Sequence, residues 1–276
     1  MTHATVVRSW IPMLAIPAIL LGASTGLALE NTAPLERAHS HNDYSRVHPL
    51  LDALDAGFCS IEADIFLIKG ELLVAHHEKE IKPGNTLQKL YLDPLLDRVR
   101  RNHGRVYPNG PVVTLLIDFK TEPEDTWPKL REVLEHYREM LTVFTNEGTE
   151  AKAVSVILSG ASPRKQIAAE ASRLAAIDGR LGDIETAPSP NLVPLISENW
   201  PTAFKWFGKG PMPEAERTKL RELVTKTHAH GQRIRFYGTP QSLEFWSELY
   251  EAGVDLLNAD NLPKLRDFLR SKQHAS

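Results

Sequence analysis

Short apolar runs alternate with amphipathic segments along the chain from about Arg37 onward. The clearest run, Val112–Phe119, is nearly continuous and rich in residues that favour strands. Continuous apolar runs of this length are typical of strands that are buried on both faces in a parallel sheet. Similar runs predict further strands at Ser60–Leu67, Leu72–His76, Ala153–Leu158, Leu192–Ser197, Arg233–Tyr237 and Val254–Asn258.

The segments between these runs have the spacing of helices. Pro49–Ala56 precedes Gly57, a residue that commonly ends helices, and Asp125–Leu141 starts with an acidic turn in which Asp125 is the predicted N-cap. Strand and helix alternate about eight times without an internal repeat, which predicts an α/β fold with one TIM-type (β/α)8 barrel. A doubly wound open sheet is the alternative, and the absence of the Rossmann glycine fingerprint disfavours it. The other predicted helices are Pro163–Leu174, Pro213–His230, Ser242–Ala252 and Leu262–Leu269.

The first 28 residues differ from the rest of the chain. Arg8 precedes an apolar run from Trp10 to Leu21, and small residues follow as far as Ala28. This order predicts a secretory signal peptide over residues 1–28, a periplasmic or secreted protein, and a barrel domain over residues 29–276. The alternative is an uncleaved anchor, but the run is shorter than the roughly 20 residues that a spanning helix needs. It also contains Pro12 and Pro17.

Composition excludes some partners. The 276-residue chain is 42% hydrophobic and 24% charged, which suits a protein with a packed core. Its net charge of −3 argues against a nucleic-acid partner, since such proteins usually carry a basic excess. Cys59 is the one cysteine, so no intramolecular disulfide can form, and its apolar neighbours predict a small buried residue. Nothing in the sequence predicts a protein partner.

Polar clusters follow several of the predicted strands at their ends. In a TIM barrel the carboxyl ends of the strands meet at one mouth, where the chemistry of this fold takes place. We therefore expect these clusters to converge. They are Ala38–Asp43, Glu62–Asp64, Ala75–His77 and Ile117–Lys120.

Glu62 and Asp64 are spaced two apart, so both side chains project from the same face of a strand. Two carboxylates inside a barrel need a partner, because buried charges are costly when unpaired. A cation can supply that partner, and Asp118 at the end of the next long strand can add a third oxygen. Ligation by oxygen alone favours one divalent cation, Mg²⁺ or Ca²⁺. The alternative is a solvent-facing acidic pair on an edge strand.

His39 and His76 are candidates for proton transfer, because histidine titrates near neutral pH. Cleavage of a phosphodiester requires a proton to leave the nucleophile and another to reach the leaving oxygen. Two histidines beside a cation can divide those tasks. Lys120 shares a strand face with Asp118 and can contact either a phosphoryl oxygen or the acidic cluster.

These motifs resemble a known superfamily. The stretches A-H-S-H-N-D-Y, G-F-C-S-I-E-A-D, E-L-L-V-A-H-H and L-L-I-D-F-K resemble the PLC-like phosphodiesterases. That group includes glycerophosphodiester phosphodiesterases, phosphatidylinositol-specific phospholipase C and sphingomyelinase D-type enzymes. The chain is most similar to the branch named for the fungal altered inheritance of mitochondria protein 6. The resemblance is dense over Ala38–Lys120 and returns at Arg233–Asp260.

The resemblance implies roles for eight residues and a substrate class. It implies catalysis by two histidines, cation binding by three carboxylates, and a small-molecule or lipid phosphodiester as substrate. Glycerophosphodiesterases carry Arg-Gly after the first histidine, where this chain has Ser40-His41, and we hypothesise that His41 contacts a phosphate in place of the missing arginine. The implied residues are His39 and His76 for catalysis, Glu62, Asp64 and Asp118 for the metal, and His41, Asn42 and Lys120 for substrate binding.

Two other functions fit parts of the sequence. An exported, non-catalytic protein could bind phospholipid head groups or polyol phosphates on the same barrel. Alternatively, His39-Ser40-His41 matches the H-x-H pattern with which ester and lactone hydrolases hold transition metals. Peripheral membrane contact is a further expectation. Trp200, Phe204 and Trp206 are candidates for a lipid-facing loop, and the alternative places them in the core or at the barrel rim.

Overall fold

The computed structural model describes residues 1–3 and 32–273. Contacts divide the chain into a unit of residues 1–30 and a unit of residues 31–276, and the second unit contains a barrel of parallel strands. Its eight strands are β1 (Leu35–Ser40), β2 (Phe58–Ile68), β3 (Val113–Phe119), β4 (Val154–Gly160), β5 (Ala175–Gly179), β6 (Leu195–Asn199), β7 (Arg233–Tyr237) and β8 (Leu257–Ala259).

Parallel pairing runs around the barrel in the order β7, β6, β5, β4, β3, β2, β1, β8. A single parallel bridge between Arg235 and Leu256 joins the two ends of this path. The predicted TIM-type barrel is therefore confirmed, and the alternative of an open sheet is wrong.

Helices follow the barrel strands on the outside. They are α1 (Leu51–Asp55), α2 (Asp93–Arg101), α3 (Pro123–Glu135), α4 (Arg164–Ala169), α5 (Leu181–Thr186), α6 (Trp200–Ala203), α7 (Glu214–Ala229), α8 (Leu243–Ala252) and α9 (Leu262–Gln273). Two small additions lie outside the barrel. Strand Glu71–Val74 folds back antiparallel on β2, and a separate three-stranded sheet contains Val143–Thr145, Thr149–Glu150 and Ser172–Arg173.

Some boundaries differ from the sequence-based expectations. The run at Leu72–His76 forms the returning strand of a hairpin, because its register pairs it antiparallel with β2. Helix α3 begins at Pro123, whose ring favours the first helical position, so Asp125 lies in the first turn and is not the N-cap. Strand β5 and helix α2 are not predicted by the apolar pattern. β5 is short and contains Asp178, and α2 is rich in charged residues.

The interior of the barrel contains a small apolar cluster, which we call the plug, with a polar layer above it. Leu116, Ile157, Leu195 and Leu256 form a cluster apart from the main core. Because side chains alternate along a strand, the residues two positions further on from Leu116, Ile157 and Leu195 share the face of the plug. Those residues are Asp118, Ser159 and Ser197. Burial of each large aliphatic side chain contributes about 1.5–3 kcal/mol, which offsets part of the cost of the polar layer above it.

The aromatic residues after β6 belong to the core. Trp200, Phe204 and Trp206 are all buried. The Trp200 ring stacks on Phe204 at 4.0 Å between centroids and meets Phe236 edge to face at 5.3 Å. The hypothesis that Trp200, Phe204 and Trp206 form a lipid-facing loop is therefore wrong, because all three pack against other aromatic rings of the core.

Cys59 is buried, as its apolar neighbours predict. The predicted signal peptide is a different matter: its residues 4–28 lie outside the described part of the chain, so it stays a prediction. Within residues 1–3 and 32–273, no helix combines the length and apolar character needed to cross a bilayer.

Candidate active site

Three carboxylates converge at the mouth of the barrel. Glu62 and Asp64 lie on β2, and the register places Asp64 beside Asp118 of β3. One oxygen from each of the three lies within 4.8 Å of the others. Gly160 on β4 leaves room for this arrangement, since a Cβ there would approach Asp118 Oδ1 to 2.6 Å. The sequence-based grouping of these acids is thus found in space.

Asp64 uses only one of its two oxygens for protein contacts. Its Oδ2 lies 2.8 Å from the Tyr44 hydroxyl, 3.0 Å from Lys120 Nζ and 3.0 Å from His76 Nδ1. Its Oδ1 is buried without a hydrogen-bond partner. A buried carboxylate oxygen without a donor is costly, and a cation shared with Glu62 and Asp118 would satisfy it.

The electrostatics of the cluster also favour a cation. Burial and the neighbouring Glu62 raise the pKa of Asp64, and burial raises the pKa of Asp118 even though Lys120 Nζ lies 3.0 Å from its Oδ1. Burial would raise the pKa of Glu62 as well, but contact with His39 and the charge of Arg235 hold it well below its usual range. Lys120 and Arg235 thus place two positive charges against three carboxylates, which leaves the group with a negative charge.

His76 is the histidine most open to solvent in the cluster, with 45% of its side chain exposed. Its Nδ1 contacts the Asp64 carboxylate, which only accepts hydrogen bonds, so Nδ1 carries the hydrogen. The Tyr44 hydroxyl lies 2.9 Å from the same nitrogen, and the Tyr44 ring stacks on the imidazole. The lone pair of His76 is therefore on Nε2.

His39 lies beneath the carboxylates and is 0% exposed. Arg235 only donates hydrogen bonds, so its Nη1, 2.6 Å away, makes His39 Nε2 an acceptor. The remaining nitrogen, Nδ1, then donates to Ser60 Oγ at 2.7 Å. Burial and the charge of Arg235 lower the pKa of His39 to about 4, so the ring is neutral at pH 7. Both ring nitrogens are occupied by protein groups.

His41 lies one residue past the end of β1, with 31% of its side chain exposed. Its Nδ1 is 2.8 Å from Asp260 Oδ1, and its Nε2 is 4.0 Å from Glu62 Oε2. Burial lowers the pKa of His41, but the hydrogen bond to Asp260 and the charge of Glu62 outweigh that effect and raise it. His41 therefore lies beside the acidic cluster with Nδ1 hydrogen-bonded to Asp260 and with Nε2 beyond hydrogen-bond distance of Glu62.

Asn42 and Lys120, the other two expected substrate-binding residues, also lie at the mouth. Asn42 has a left-handed backbone with φ 48°, and its Oδ1 accepts a hydrogen bond from the Tyr44 hydroxyl at 2.5 Å. Its Nδ2 lies 3.0 Å from His41 Nδ1. Lys120 Nζ lies between Asp64 and Asp118, which agrees with the alternative that it pairs with the acids.

Several residues of the site were not selected from the sequence. Tyr44 lies in the first motif, while Arg235 and Asp260 lie within the segments that resemble the last two strands. The rule that polar residues at strand ends converge also applies to Asp260, and period-two alternation places Arg235 inside the barrel.

The H-x-H pattern of the first motif does not build a metal site. Within the described residues, the potential ligands that converge in a group of three or more are Glu62, Asp64 and Asp118. His39 and His41 are not part of that group. The donor set is oxygen alone, which suits a hard divalent cation better than a transition metal.

The chain is similar to several known proteins. Residues 28–177 match the family model described as the AIM6-like phosphodiesterase domain. The chain is 30% identical to altered inheritance of mitochondria protein 6 of Eremothecium gossypii, over 90% of this chain and 73% of that protein. A homologue from Arthroderma benhamiae is 29% identical over 81% of each chain.

A solved structure shares the fold. The crystal structure of a glycerophosphodiester phosphodiesterase from Parabacteroides distasonis matches with a TM-score of 0.52 and 11% sequence identity. The match covers 88% of this chain and 98% of that one. At this identity the likeness establishes the barrel architecture.

Proposed function

Because the chain belongs to the AIM6-like phosphodiesterase domain family, we propose that it is a metal-dependent phosphoric diester hydrolase. The observation that carries the proposal is the buried Asp64 Oδ1, which has no protein partner and belongs to a convergent group of three carboxylates. The motif resemblance supports a glycerophosphodiester or phospholipid-type substrate.

The residues present fit one Mg²⁺ or Ca²⁺ ion. Glu62, Asp64 and Asp118 would hold it, since all three offer oxygen and Asp64 Oδ1 lacks a donor. When bound, a divalent cation supplies positive charge that stabilises the phosphoryl oxygens during the reaction. Lys120 lies within reach of the same position and supplies a further positive charge for a phosphoryl oxygen.

His76 is suited to receive a proton from the attacking hydroxyl. Its Nδ1–H is held by Asp64, and the Tyr44 ring fixes its orientation, so the free Nε2 lone pair has a defined direction. The attacking group is water or a hydroxyl of the substrate itself.

The catalytic role of His39 stays a prediction that the geometry does not favour. Its ring is buried, and its Nε2 is occupied by Arg235. In this position His39 lies beneath the acids, with its Nε2 3.4 Å from Glu62 Oε2 and accepting a hydrogen bond from Arg235.

We also propose that the protein is exported and contacts lipid surfaces transiently. The N-terminal segment supports export, and the motif resemblance to phospholipid-acting enzymes supports a lipid substrate. N-terminal sequencing of the protein recovered outside the cytoplasm tests the first point, with a start near residue 29 expected. Sedimentation with phosphatidylcholine vesicles tests the second, and an absence of co-sedimentation would contradict it.

The decisive experiment is hydrolysis of bis(p-nitrophenyl) phosphate with EDTA, followed by addition of Mg²⁺ or Ca²⁺. We expect EDTA to abolish activity and the ion to restore it. The ion should also raise the melting temperature of the wild-type protein but not of Glu62→Gln, because binding to the native state alone stabilises it. Glu222→Gln, an exposed substitution on α7, is the matched control. Activity that resists EDTA and survives in Glu62→Gln would contradict the proposal.

A further inference from the structure

We propose that His41, held by Asp260, is the residue that protonates the leaving alcohol, an inference that rests on the proposed function. This assigns to His41 a chemical task in place of the phosphate contact that its position in the sequence suggests. The reaction needs two proton-transfer residues, and His41 takes the second role, for which His39 is poorly placed.

The orientation of His41 is defined by Asp260. Two groups approach His41 Nδ1: Asp260 Oδ1, which only accepts, at 2.8 Å, and the Asn42 amide nitrogen, which only donates, at 3.0 Å. The shorter contact, to the carboxylate, places a hydrogen on Nδ1. The other ring nitrogen, Nε2, is then the atom that faces Glu62 Oε2, 4.0 Å away. A histidine whose second nitrogen is anchored by a carboxylate is the arrangement in which an acid or base is held ready for transfer.

Asp260 is itself fixed from two directions. The Gln241 side chain donates through Nε2 to Asp260 Oδ2 at 2.5 Å, and its Oε1 accepts from the Asp260 backbone N–H at 2.8 Å. Arg46 donates through Nη1 to the Asp260 carbonyl oxygen at 2.8 Å and through Nη2 to the His41 carbonyl oxygen at 3.3 Å. The strand-end segments that carry His41 and Asp260 are thereby tied together.

His41 and His76 contact different carboxylates of the cluster. His41 Nε2 lies beside Glu62, whereas His76 Nδ1 lies against Asp64. A diester that binds at the cluster therefore has separate imidazole nitrogens available for its attacking and leaving oxygens. His39 offers no such nitrogen, because Arg235 occupies its Nε2.

The proton transfers balance as follows. The attacking oxygen bonds to phosphorus, and its proton passes to His76 Nε2. The P–O bond to the alcohol breaks with its electron pair left on the alcohol oxygen, and that oxygen takes the proton from His41 Nε2. His41 then regains a proton from solvent and His76 returns one to solvent, so the catalyst is unchanged.

The test compares leaving groups that differ in their need for a proton. p-Nitrophenolate departs as a stable anion, whereas an alkoxide must be protonated. Wild-type protein and His41→Gln are assayed with bis(p-nitrophenyl) phosphate and with the fastest alkyl substrate among glycerophosphocholine, glycerophosphoinositol and lysophosphatidylcholine. We expect His41→Gln to lower kcat about 10²- to 10³-fold on the alkyl diester and less than about tenfold on the aryl diester. Asp260→Asn should show the same selectivity with a loss of about 10-fold on the alkyl diester.

The matched control is His228→Gln. His228 also pairs with an aspartate, since its Nε2 lies 2.8 Å from Asp255 Oδ2, but it lies at the end of α7 and not in the cluster. It should leave both rates unchanged. The ion-dependent rise in melting temperature should persist in His41→Gln, which separates loss of acid catalysis from loss of the cation.

Each remaining outcome is informative. Equal losses on both diesters, or no loss on either, would overturn the role of His41 and leave the proposed function standing. If the wild-type protein hydrolyses the aryl diester but none of the alkyl diesters, the role of His41 is likewise overturned and the proposed function stands. An absence of diester hydrolysis in the wild-type protein would remove the proposed function and the role of His41 with it.

Discussion

Asp64 on β2 and Asp178 on β5 are both buried aspartates on barrel strands, with 1% and 3% of their surface exposed. Asp178 has a hydrogen-bond donor for each oxygen: Ser197 Oγ donates to Oδ1 at 2.6 Å, and Ser159 Oγ donates to Oδ2 at 2.8 Å. Asp64 has three contacts on Oδ2 and none on Oδ1.

The difference shows how one residue type serves two purposes inside the same barrel. A buried carboxylate whose two oxygens are both hydrogen-bonded stabilises the fold, because replacing the carboxylate would leave its buried donors unpaired. A carboxylate with an unpaired oxygen reduces stability, and such features are typical of sites that bind something. We therefore expect the region around Asp64 to respond to ligands and the region around Asp178 to respond mainly to unfolding.

The largest expected effect is on catalysis at Asp64. Asp64→Asn keeps the shape of the side chain but removes a charge from the cation site, so ion-dependent diester hydrolysis should fall on the order of 10³-fold. Because burial raises the pKa of Asp64, its charged form costs stability at pH 7. The metal-free variant should then melt at or above the wild-type temperature. If Asp64→Asn is active and less stable than the wild type, Asp64 and Asp178 do not differ in purpose.

The reciprocal change at Asp178 should act on stability. In Asp178→Asn the amide –NH₂ replaces an oxygen that accepts from a serine, so one hydroxyl must turn away from its present partner. We expect the free energy of unfolding, measured in urea, to fall by about 1–3 kcal/mol. The ion-dependent rise in melting temperature should remain. Loss of that rise without loss of stability would show that Asp178 belongs to the cation site.

A smaller effect is expected at Lys120. Lys120→Met removes the ammonium between Asp64 and Asp118, so the metal-free protein should lose on the order of 1 kcal/mol of stability. The rise in melting temperature on adding the ion should become larger, since the acids then lack their internal cation. The control is Lys89→Met, at an exposed position. An unchanged response to the ion would mean that Lys120 does not share the position of the cation.

The smallest effect concerns a buried group far along β2 from Asp64. Burial raises the pKa of the Cys59 thiol to about 12, so little thiolate, the reactive form, exists at pH 8. We expect iodoacetamide to modify the native protein far more slowly than the protein in urea, as followed by mass spectrometry. Rapid modification under native conditions would indicate that the core between β2 and the surrounding helices opens to solvent.

Local patterns predicted much of the fold and the acidic cluster. The apolar run of β3 and the two-residue spacing of Glu62 and Asp64 depend only on neighbouring residues, since a strand alternates its faces whatever it packs against. Helix Leu243–Ala252 was predicted almost to its ends because Ser242 caps it and Gly253 ends it. Helix α2 and strand β5 were missed, because five of the nine residues of α2 are charged and β5 is only five residues long.

The sequence by itself determined which side chains reach the mouth of the barrel, namely Glu62, Asp64, Asp118 and the histidines that follow the strands. Only the tertiary structure decided which atoms face each other. His39 meets Arg235, 196 residues away, and His41 meets Asp260, 219 residues away. Those contacts depend on the register in which β8 pairs with β1 and on closure of the barrel beside β7. Periodicity sets the face of a strand on which a residue lies, whereas closure decides which histidine is buried and which remains open to the site.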